Sequence, residues 1–246
     1  VARKSTVQIE SERLRNSLLA TISHDLRTPL TALVGLADTL GLTRPALSSQ
    51  QQELANAMKQ SALRMSTLVN NLLDMARLEA GAVPLDRVWL PLEEIVGSAL
   101  ASTSTLLAGH PLTLALADDL PLLKLDAVLI ERVLVNLLDN ACNYSPPDAP
   151  ITIEAHTQGD KLRIAITDGG KGIPPGDLER IFDKFYRIPG TATGGTGLGL
   201  SICRQLAALM DGALQVVSEP GQGSHFSFAL RLQLAGRAIV RVLKCR

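Results

Sequence analysis

The chain has 246 residues, of which 46% are hydrophobic and 20% are charged, and its formal net charge is zero. This composition is typical of one or two packed domains and argues against disorder. The balanced charge and an aromatic content of only 3% argue against a nucleic-acid-binding protein, because such proteins usually carry a basic surface or stacking aromatic residues.

The three cysteines and four histidines form no metal-binding or disulfide pattern. Cys142, Cys203 and Cys245 are widely spaced and include no CxxC pair, which is typical of reduced thiols. The stretch 95–117 has no charged residue but is rich in serine and threonine, so we expect no membrane span there. The chain begins at Val1 without a signal peptide. We therefore expect a fragment, with any membrane anchor outside it.

Two long helices are predicted at the start of the chain. Between about residues 9 and 42, leucines and isoleucines recur every three or four positions, which is the helical period. The segment Gly41–Ser49 interrupts this pattern, and a heptad pattern follows that ends near Gly81. The heptad positions are Leu54, Met58, Met65, Leu68, Leu72 and Met75. We expect a helical hairpin that buries this seam against a second copy in a dimeric four-helix bundle, with a partner domain of the same chain as the weaker alternative.

The stretch TISHDLRTPL in the first helix contains a candidate reactive group. His24 lies two residues from Ile22, about 200° around a helix, so it should face away from the inward stripe of Leu18, Ile22 and Leu26. Asp25 can accept a proton from one imidazole nitrogen and leave a lone pair on the other. The alternative is an ordinary surface histidine.

Thr28 and Pro29 follow one helical turn after His24. Thr28 lies on the same face as His24. Pro29 has no N–H, so the carbonyl of Asp25 loses its helical partner and the helix should bend. Such a bend suits a helix that flexes around a reactive side chain. The alternatives are a tolerated kink and a Thr28 hydroxyl that bonds back to the helix backbone.

A mixed domain is predicted from about residue 85 to 232. Helical patterns cover Pro91–Leu107, Asp126–Asn143 and Leu198–Met210. The strand patterns are LDRVWL, LTLALA, ITIEAHT, KLRIAITD, ALQVVSE and SHFSFALRLQL, with a hairpin turn at TQGDK. We expect a mixed sheet covered by helices. The basic tail 233–246 is interpreted as solvated, with a membrane-surface or partner helix as the alternative.

The predicted helix that ends in NLLDNACNYS has an amide-rich face. Asn136, Asn140 and Asn143 are spaced at i, i+4 and i+7, so they share one side of the helix. Amide oxygens suit a hard cation such as Mg²⁺ that is shared with phosphates. The alternative is a solvated face, although asparagine is a poor helix former.

Two glycine-rich segments follow. In DGGKGIPP, Asp168 ends a strand, where its carboxylate can accept a hydrogen bond from an exocyclic amine while the glycines let the backbone approach a flat ring. GTATGGTGLGLSICRQL, residues 190–206, runs into a helix whose first N–H groups suit phosphate. It matches neither a Walker A loop nor the dinucleotide fingerprint. We expect it to be a flexible lid, although either segment alone is compatible with an ordinary turn.

Taken together, these segments resemble the catalytic core of two-component sensor histidine kinases. SHDLRTPL resembles the H box, NLLDNACNYS the N box, DGGKGIP the G1 box, IFDKFYR the F box and GTGLGL the G2 box, in family order. The wording RLRNSLLATISHDLRTPLTAL is most similar to the osmosensitive, potassium-responsive branch. The resemblance implies a dimerisation and phosphoacceptor hairpin, 1–81, followed by an ATP-binding α+β sandwich of the gyrase, chaperone and histidine kinase type, 85–232.

The resemblance also implies an activity and roles for single residues. His24 would be autophosphorylated by ATP with Mg²⁺, and the phosphoryl group would pass to an aspartate of a response regulator. Asp25 would be its acid/base neighbour, and Thr28 would help to hydrolyse the regulator's phosphate. Asn140 would be the Mg²⁺ ligand, and Asp168 would bind the adenine amino group. The other implied nucleotide-binding residues are Asn136, Asn143, Tyr144, Gly170, Gly172, Ile173, Lys184, Arg187, Thr196, Gly197, Leu198 and Gly199.

Some positions depart from the family pattern. Asn143 stands where a lysine is common, Gly169 where asparagine is usual, and Lys171 where a less charged residue is common. These departures concern nucleotide affinity, and Lys171 is one candidate to supply the charge missing at Asn143.

Three functions are compatible with this pattern. A non-catalytic, nucleotide-binding dimeric scaffold would be expected to have lost His24, Asn140 or Asp168, and all three are present. A chaperone-like ATPase would need no exposed histidine on a hairpin. We therefore expect an active kinase: the cytoplasmic portion of a membrane-anchored bacterial sensor, a homodimer that binds a response regulator and no nucleic acid.

Overall fold

The computed structural model describes residues 2–81, 83–190 and 195–232, with side chains from Thr21 onward except that of Ser23. The chain divides into two compact units, Val1–Val83 and Pro84–Arg246. The predicted basic tail and part of the predicted lid lie outside the described residues. No helix among those described is long and apolar enough to cross a membrane.

The first unit is the predicted helical hairpin. Helix α1 spans Ala2–Gly41 and runs through Pro29, and helix α2 spans Ser49–Glu79. A capping box starts α2: the Ser48 hydroxyl accepts the Gln51 N–H at 3.3 Å, and the Gln51 side chain accepts the Ser48 N–H at 2.9 Å. These bonds satisfy backbone donors that an uncapped helix leaves free, which explains why the second helix begins where the loop ends.

Most of the predicted apolar seam is exposed in the single chain. Met75 is buried, but Leu54 is 60% and Met65 59% exposed. On α1, the expectation that Ile22 and Leu26 face inward is not met within one chain, since they are 46% and 42% exposed. Two helices bury little more than the line along which they touch, so a stripe of this width needs further helices to cover it.

The second unit contains a mixed five-stranded sheet and a two-stranded sheet. In the larger sheet the strand order is β2-β4-β5-β7-β6, and only the β2–β4 pair is parallel. Strand β1 pairs antiparallel with β3 in the smaller sheet. The strands are β1 Val88–Leu90, β2 Leu112–Leu116, β3 Leu123–Leu125, β4 Ile151–Gln158, β5 Lys161–Asp168, β6 Ala213–Ser218 and β7 Ser224–Arg231. The predicted strands are thus present, and β3 is an addition that the sequence pattern did not indicate.

Four helices accompany the sheet. They are α3 Leu92–Ser102, α4 Ser104–Leu107, α5 Ala127–Tyr144 and α6 Gly199–Leu209, and short 3₁₀ turns occupy Pro175–Asp177 and Arg180–Phe182. The prediction of one continuous helix over Pro91–Leu107 is wrong. Thr103 interrupts it with φ −107° and ψ 7°, and its hydroxyl donates to the carbonyl of Ala99 at 2.8 Å.

The core lies between one face of the sheet and helices α3, α5 and α6. Alternate residues of β4, β5 and β7 are buried on the face that the helices cover, with α5 contacting β5 and α6 contacting β6 and β7. This explains the period of two in these strands. The fully buried members include Ile151, Ile153, Leu162, Ile164, Phe228, Ile130, Val133, Leu134 and Leu138. This arrangement confirms the predicted α+β sandwich. It also brings the end of α5 beside the end of β5, since the Lys171 N–H donates to the Tyr144 carbonyl at 3.4 Å.

Candidate functional site

His24 and Asp25 form an exposed pair on α1. The Nδ1 atom of His24 lies 3.3 Å from Oδ1 of Asp25, and the two side chains are 82% and 69% exposed. In the tautomer that carries its proton on Nδ1, that N–H donates to the carboxylate and Nε2 keeps its lone pair. In that tautomer the lone pair of Nε2 is open to solvent, and the exposure of His24 agrees with the face that its helical position predicted.

Thr28 bonds back to the helix backbone. Its hydroxyl donates to the carbonyl of His24 at 3.0 Å. This is the structural alternative that the sequence left open. The hydroxyl oxygen still has acceptor capacity, so the bond limits which way the proton points without masking the group.

Asp168 is a buried carboxylate at the end of β5. It is 6% exposed, and its Oδ1 accepts the Gly170 N–H at 2.8 Å. Burial raises the pKa of this carboxyl above its usual range, while the N–H groups of Gly170 and Ser224 and the hydroxyl of Ser145 partly offset that shift. A carboxylate held in this way can accept a further hydrogen bond from a ligand.

Two buried polar atoms near the end of α5 lack a hydrogen-bond partner in the part of the chain that is described. They are Nδ2 of Asn140 and Oγ of Ser145. The Ser145 hydroxyl is close enough to Asp168 to lower its pKa, but it makes no bond of good geometry. Such groups cost about 1–3 kcal/mol when left unpaired, and folded proteins rarely leave them so. The orphaned atoms fit a pocket whose ligand supplies polar partners, as a nucleotide would.

The other two asparagines of the amide face are already bonded. Asn136 donates through Nδ2 to the Arg132 carbonyl at 3.0 Å. Burial raises the pKa of Asp139, and a hydrogen bond from the Asn143 side chain partly offsets that shift. Among the residues described, no group of three or more His, Cys, Asp or Glu side chains is arranged to hold a metal ion.

The G1 segment is held between α5 and the turn that joins β6 to β7. A Cβ added at Gly170 would lie 2.7 Å from the Tyr144 carbonyl oxygen. At Gly172, which has φ +69°, an added Cβ would overlap the carbonyl oxygen of Glu219. At Gly223, with φ +82°, it would overlap the carbonyl oxygen of Asp168. These glycines are needed because backbone approaches backbone on both sides of the segment.

Alanine at Gly172 should therefore destabilise the second unit far more than alanine at Gly221. Gly221 also has a positive φ, +81°, but nothing lies within 4 Å of its added Cβ. The left-handed conformation costs about 1–2 kcal/mol at either position, and Gly172→Ala adds a backbone collision. Urea unfolding should show a clearly lower midpoint for Gly172→Ala. Equal midpoints for the two variants would contradict the packing described for this loop.

The F box contacts the end of the lid segment. The Phe185 N–H donates to the Gly197 carbonyl at 2.9 Å. Phe185 has φ 63°, and a Cβ at Gly197 would lie 2.7 Å from the Phe185 carbonyl carbon. Lys184 and Arg187 are exposed on the same segment. The F and G2 boxes are thus joined by a backbone hydrogen bond and by close packing of Gly197 against Phe185.

The structure brings the N, G1 and G2 boxes to one end of the sheet. A Cβ at Gly199 would lie 3.3 Å from Oδ1 of Asn136, and one at Gly195 would lie 4.0 Å from the Tyr144 hydroxyl. The Leu198 side chain is fully buried, and its N–H donates to the Thr196 hydroxyl at 3.3 Å. Ile173 is also buried, and its N–H donates to the Ser218 hydroxyl at 2.8 Å. Leu198 and Ile173 are therefore packed side chains whose backbones are held by hydroxyl groups at this end of the sheet.

Sequence reasoning missed the serines at this end of the sheet. Ser145, Ser218 and Ser224 lie around Asp168 or around the segment that follows it. The signal available was the turn EPGQGS, whose glycines and serine directly precede a strand. Without knowing which strands pair, nothing linked that turn to Asp168.

Two family models match the chain. Residues 14–81 match the His Kinase A (phospho-acceptor) domain, and residues 125–234 match the histidine kinase-, DNA gyrase B- and HSP90-like ATPase. A phosphoacceptor domain followed by this ATPase domain defines a class of enzyme. The chain belongs to the sensor histidine kinases of two-component systems, as its motifs indicated.

Individual relatives indicate which branch of the family the chain is similar to. The chain is 44% identical over 227 residues to the sensor protein KdpD of Escherichia coli (strain K12), covering 92% of this chain and 25% of the relative. It is 35% identical to the alginate biosynthesis sensor protein KinB of Pseudomonas aeruginosa, covering 94% of this chain and 39% of the relative. The crystal structure of full-length ShkA in complex with AMPPNP is similar, with a TM-score of 0.72 and 31% identity, covering 90% of this chain and 47% of that one.

The similarity to KdpD supports the branch of the family that the H-box wording indicated. A second KdpD, from Clostridium acetobutylicum, is 33% identical over 94% of this chain. The chain spans only 25% and 26% of the lengths of these two relatives. The similarity therefore applies only to the part of these relatives that the chain matches, which is the kinase core.

Proposed function

We propose that this chain uses ATP to phosphorylate His24 and passes the phosphoryl group to an aspartate of a response regulator. The observation that carries the proposal is the His24–Asp25 contact of 3.3 Å on an exposed helix face. A non-catalytic nucleotide-binding scaffold would have no use for a histidine oriented by a carboxylate and open to solvent. Membership of the histidine kinases supports the same assignment.

The nucleotide is proposed to lie among the N, G1 and G2 boxes. Asp168 accepts the amino group of the base, and the amide of Asn140 lies on the side of the phosphates. Mg²⁺, when bound, neutralises charge on the phosphates, and Asn140 is the residue proposed to hold it. The unpaired Nδ2 of Asn140 needs an acceptor such as a phosphate oxygen, its Oδ1 is the atom that would hold the metal, and the buried carboxylate of Asp168 suits the base.

The chemistry at His24 follows from its contact with Asp25. Nε2 forms a bond to the γ-phosphorus while the bond from that phosphorus to the bridging oxygen breaks and ADP leaves. Positive charge develops on the imidazole during this step. The Nδ1–H donates to Asp25, whose negative charge stabilises the ring in that state.

Incubation of the chain with γ-labelled ATP and Mg²⁺ tests the proposal. We expect a covalent label that is lost in acid and retained in alkali, as for a phosphohistidine. A label that survives acid, or steady hydrolysis of ATP without any label, would favour the rival functions.

We propose that the exposed seam of α1 and α2 packs against a second copy. Met65→Glu should make the chain monomeric, because this side chain is 59% exposed in a single chain and would place a charge in the core of a bundle. Gln60→Glu, on an exposed position outside the seam, is the matched control and should remain dimeric. Light scattering at micromolar concentration measures both. A monomeric parent chain would contradict the dimer.

We also propose that the protein removes phosphate from its regulator and that Thr28 is needed for this. Thr28→Ala should slow loss of the regulator's phosphate by at least about tenfold while labelling of His24 stays normal. Thr28→Ser keeps the hydroxyl and should retain both activities. The bond from Thr28 to the His24 carbonyl supports the alternative, a purely structural role. If that structural bond is its whole role, Thr28→Ala will change both activities together or neither.

The setting of the kinase core is proposed from its relatives. The two KdpD proteins and KinB are named as sensor proteins. We propose that this chain is likewise the cytoplasmic kinase part of a membrane-anchored bacterial sensor.

A further inference from the structure

A row of polar side chains ends the buried face of the sheet. Asp168 of β5 pairs with Ser224 of β7, and Ser224 pairs with Ser218 of β6. Asp168 and Ser224 are 6% and 8% exposed. The next rows on this face are apolar, namely Ile166, Phe226 and Val216 and then Ile164, Phe228 and Leu214. The polar row therefore lies where the hydrophobic core stops and the proposed nucleotide site begins.

The Ser218 hydroxyl makes three hydrogen bonds. It lies 2.8 Å from the Ile173 nitrogen, 2.6 Å from the Gly223 carbonyl oxygen and 3.1 Å from the Ser224 hydroxyl. The N–H of Ile173 can only donate, and the carbonyl of Gly223 can only accept. A hydroxyl has a single proton, so the Ser218 proton must go to Gly223.

This assignment fixes the direction of the neighbouring hydroxyl. Because the Ser218 proton is committed to Gly223, the bond between the two serines must be donated by Ser224. The Ser224 proton is therefore held toward Ser218, and its oxygen keeps only acceptor capacity. Its backbone N–H lies beside the Asp168 carboxylate and lowers the pKa of that group. The part of the row beside Asp168 thus offers a carboxylate and a hydroxyl oxygen, both of which accept.

We propose that Ser218 determines the base specificity of the nucleotide site by holding the Ser224 proton away from it. An acceptor-only surface favours a purine with an amino group at C6, which donates, over one with a keto oxygen there, which accepts. Ser218 acts through Ser224 and is a positioning residue. The inference rests on the proposed function, since it takes this pocket to be the one that binds ATP.

The test compares ADP with IDP on the full chain. The two nucleotides carry an amino and a keto group at C6, and neither has a γ-phosphate to transfer. We expect calorimetry with Mg²⁺ to show preference for ADP in the parent chain. Ser218→Ala frees the Ser224 hydroxyl to donate to a keto oxygen, so the ADP-to-IDP affinity ratio should fall about tenfold, the size of one hydrogen bond to a polar group.

Three further variants separate specificity from simple loss of structure. Ser218→Thr keeps the hydroxyl and should keep the ratio. The double variant Ser218→Ala/Ser224→Ala has no hydroxyl left in this row to donate, and the Ser145 hydroxyl is the same in every variant, so its ratio should recover relative to Ser218→Ala. Ser227→Ala, on the other face of β7, is the matched control and should bind both nucleotides like the parent.

The outcomes are distinguishable. If ADP and IDP weaken in parallel in Ser218→Ala, the serine only supports the loop and the inference is wrong. If the parent chain binds both equally, the pocket does not distinguish the group at C6 and the inference is wrong. If the parent binds neither, the proposed function itself fails. Should Ser218→Ala not fold, neutron diffraction of the parent decides: a Ser224 deuteron directed at Ser218 supports the inference, and one directed at Asp168 overturns it.

Discussion

Replacing His24 by glutamine is expected to abolish phosphorylation of the chain and to leave nucleotide binding and dimerisation unchanged. The side chain is 82% exposed, and the side-chain contact described for it is to Asp25, so its loss removes no packing. Glutamine has a similar length but no nitrogen lone pair, because the amide nitrogen is delocalised into its carbonyl. Labelling with γ-labelled ATP measures the first effect, and calorimetry and light scattering measure the others.

Two comparisons sharpen this result. His156→Gln alters an exposed histidine on β4 and should label like the parent. Asp25→Asn keeps the imidazole but removes the charge that stabilises it, so labelling should slow by about a hundredfold and not vanish. Normal labelling of His24→Gln would show that the phosphoacceptor is another residue.

Asp168→Asn is expected to weaken ADP binding at least tenfold. The Gly170 and Ser224 N–H groups both act on this carboxylate. An amide has one acceptor oxygen, so its NH₂ group would face one of these donors or the amino group of the base. Loss of a hydrogen bond to a charged group costs about 1.5–3 kcal/mol, which is a factor of about ten or more in affinity.

The dependence on Mg²⁺ separates this effect from that of the neighbouring asparagine. Asp168→Asn should weaken ADP binding with or without Mg²⁺, because it acts on the base. Asn140→Ala should weaken binding mainly when Mg²⁺ is present. Calorimetry under both conditions measures the difference. If both variants bind like the parent, the pocket is elsewhere.

The raised pKa of Asp168 also gives a pH dependence. Protonation turns one carboxyl oxygen into a donor and removes the charge that strengthens the bond from the base. ADP affinity should therefore fall as the pH drops through a value above the ordinary aspartate pKa of about 3.9. For folding the sign is opposite. A pKa that is higher in the folded state favours folding at low pH, and that contribution is lost as the pH rises through the folded pKa. At neutral pH, Asp168→Asn should therefore lose ligand affinity. It should not lose stability from the raised pKa, because that contribution is present only at low pH.

The predictions that succeeded relied on patterns that repeat many times along the chain. The helices of the hairpin span several heptads, and β4, β5 and β7 each alternate over eight residues. Strand β3 has three residues, too few for a period to show. The break at Thr103 depends on one side-chain bond to the backbone, which no hydrophobic pattern records.

The site was predictable only where its residues are close in sequence. The N, G1 and G2 boxes were found because each is a local motif. The Asp168–Ser224–Ser218 row depends on the pairing of β5 with β7 and of β7 with β6, which joins residues far apart along the chain. The exposure of Ile22 and Leu26 likewise depends on how many helices share the core, which one sequence does not state.

The central claim is that the phosphoryl group of ATP moves to the imidazole of His24, and locating that group tests it most directly. The chain would be incubated with ATP and Mg²⁺, digested at alkaline pH to preserve phosphohistidine, and analysed by mass spectrometry. We predict one phosphoryl group on the peptide that contains His24, with fragments that place it on that residue. A phosphoryl group on any other residue, or ATP consumed with no phosphopeptide, would contradict the account.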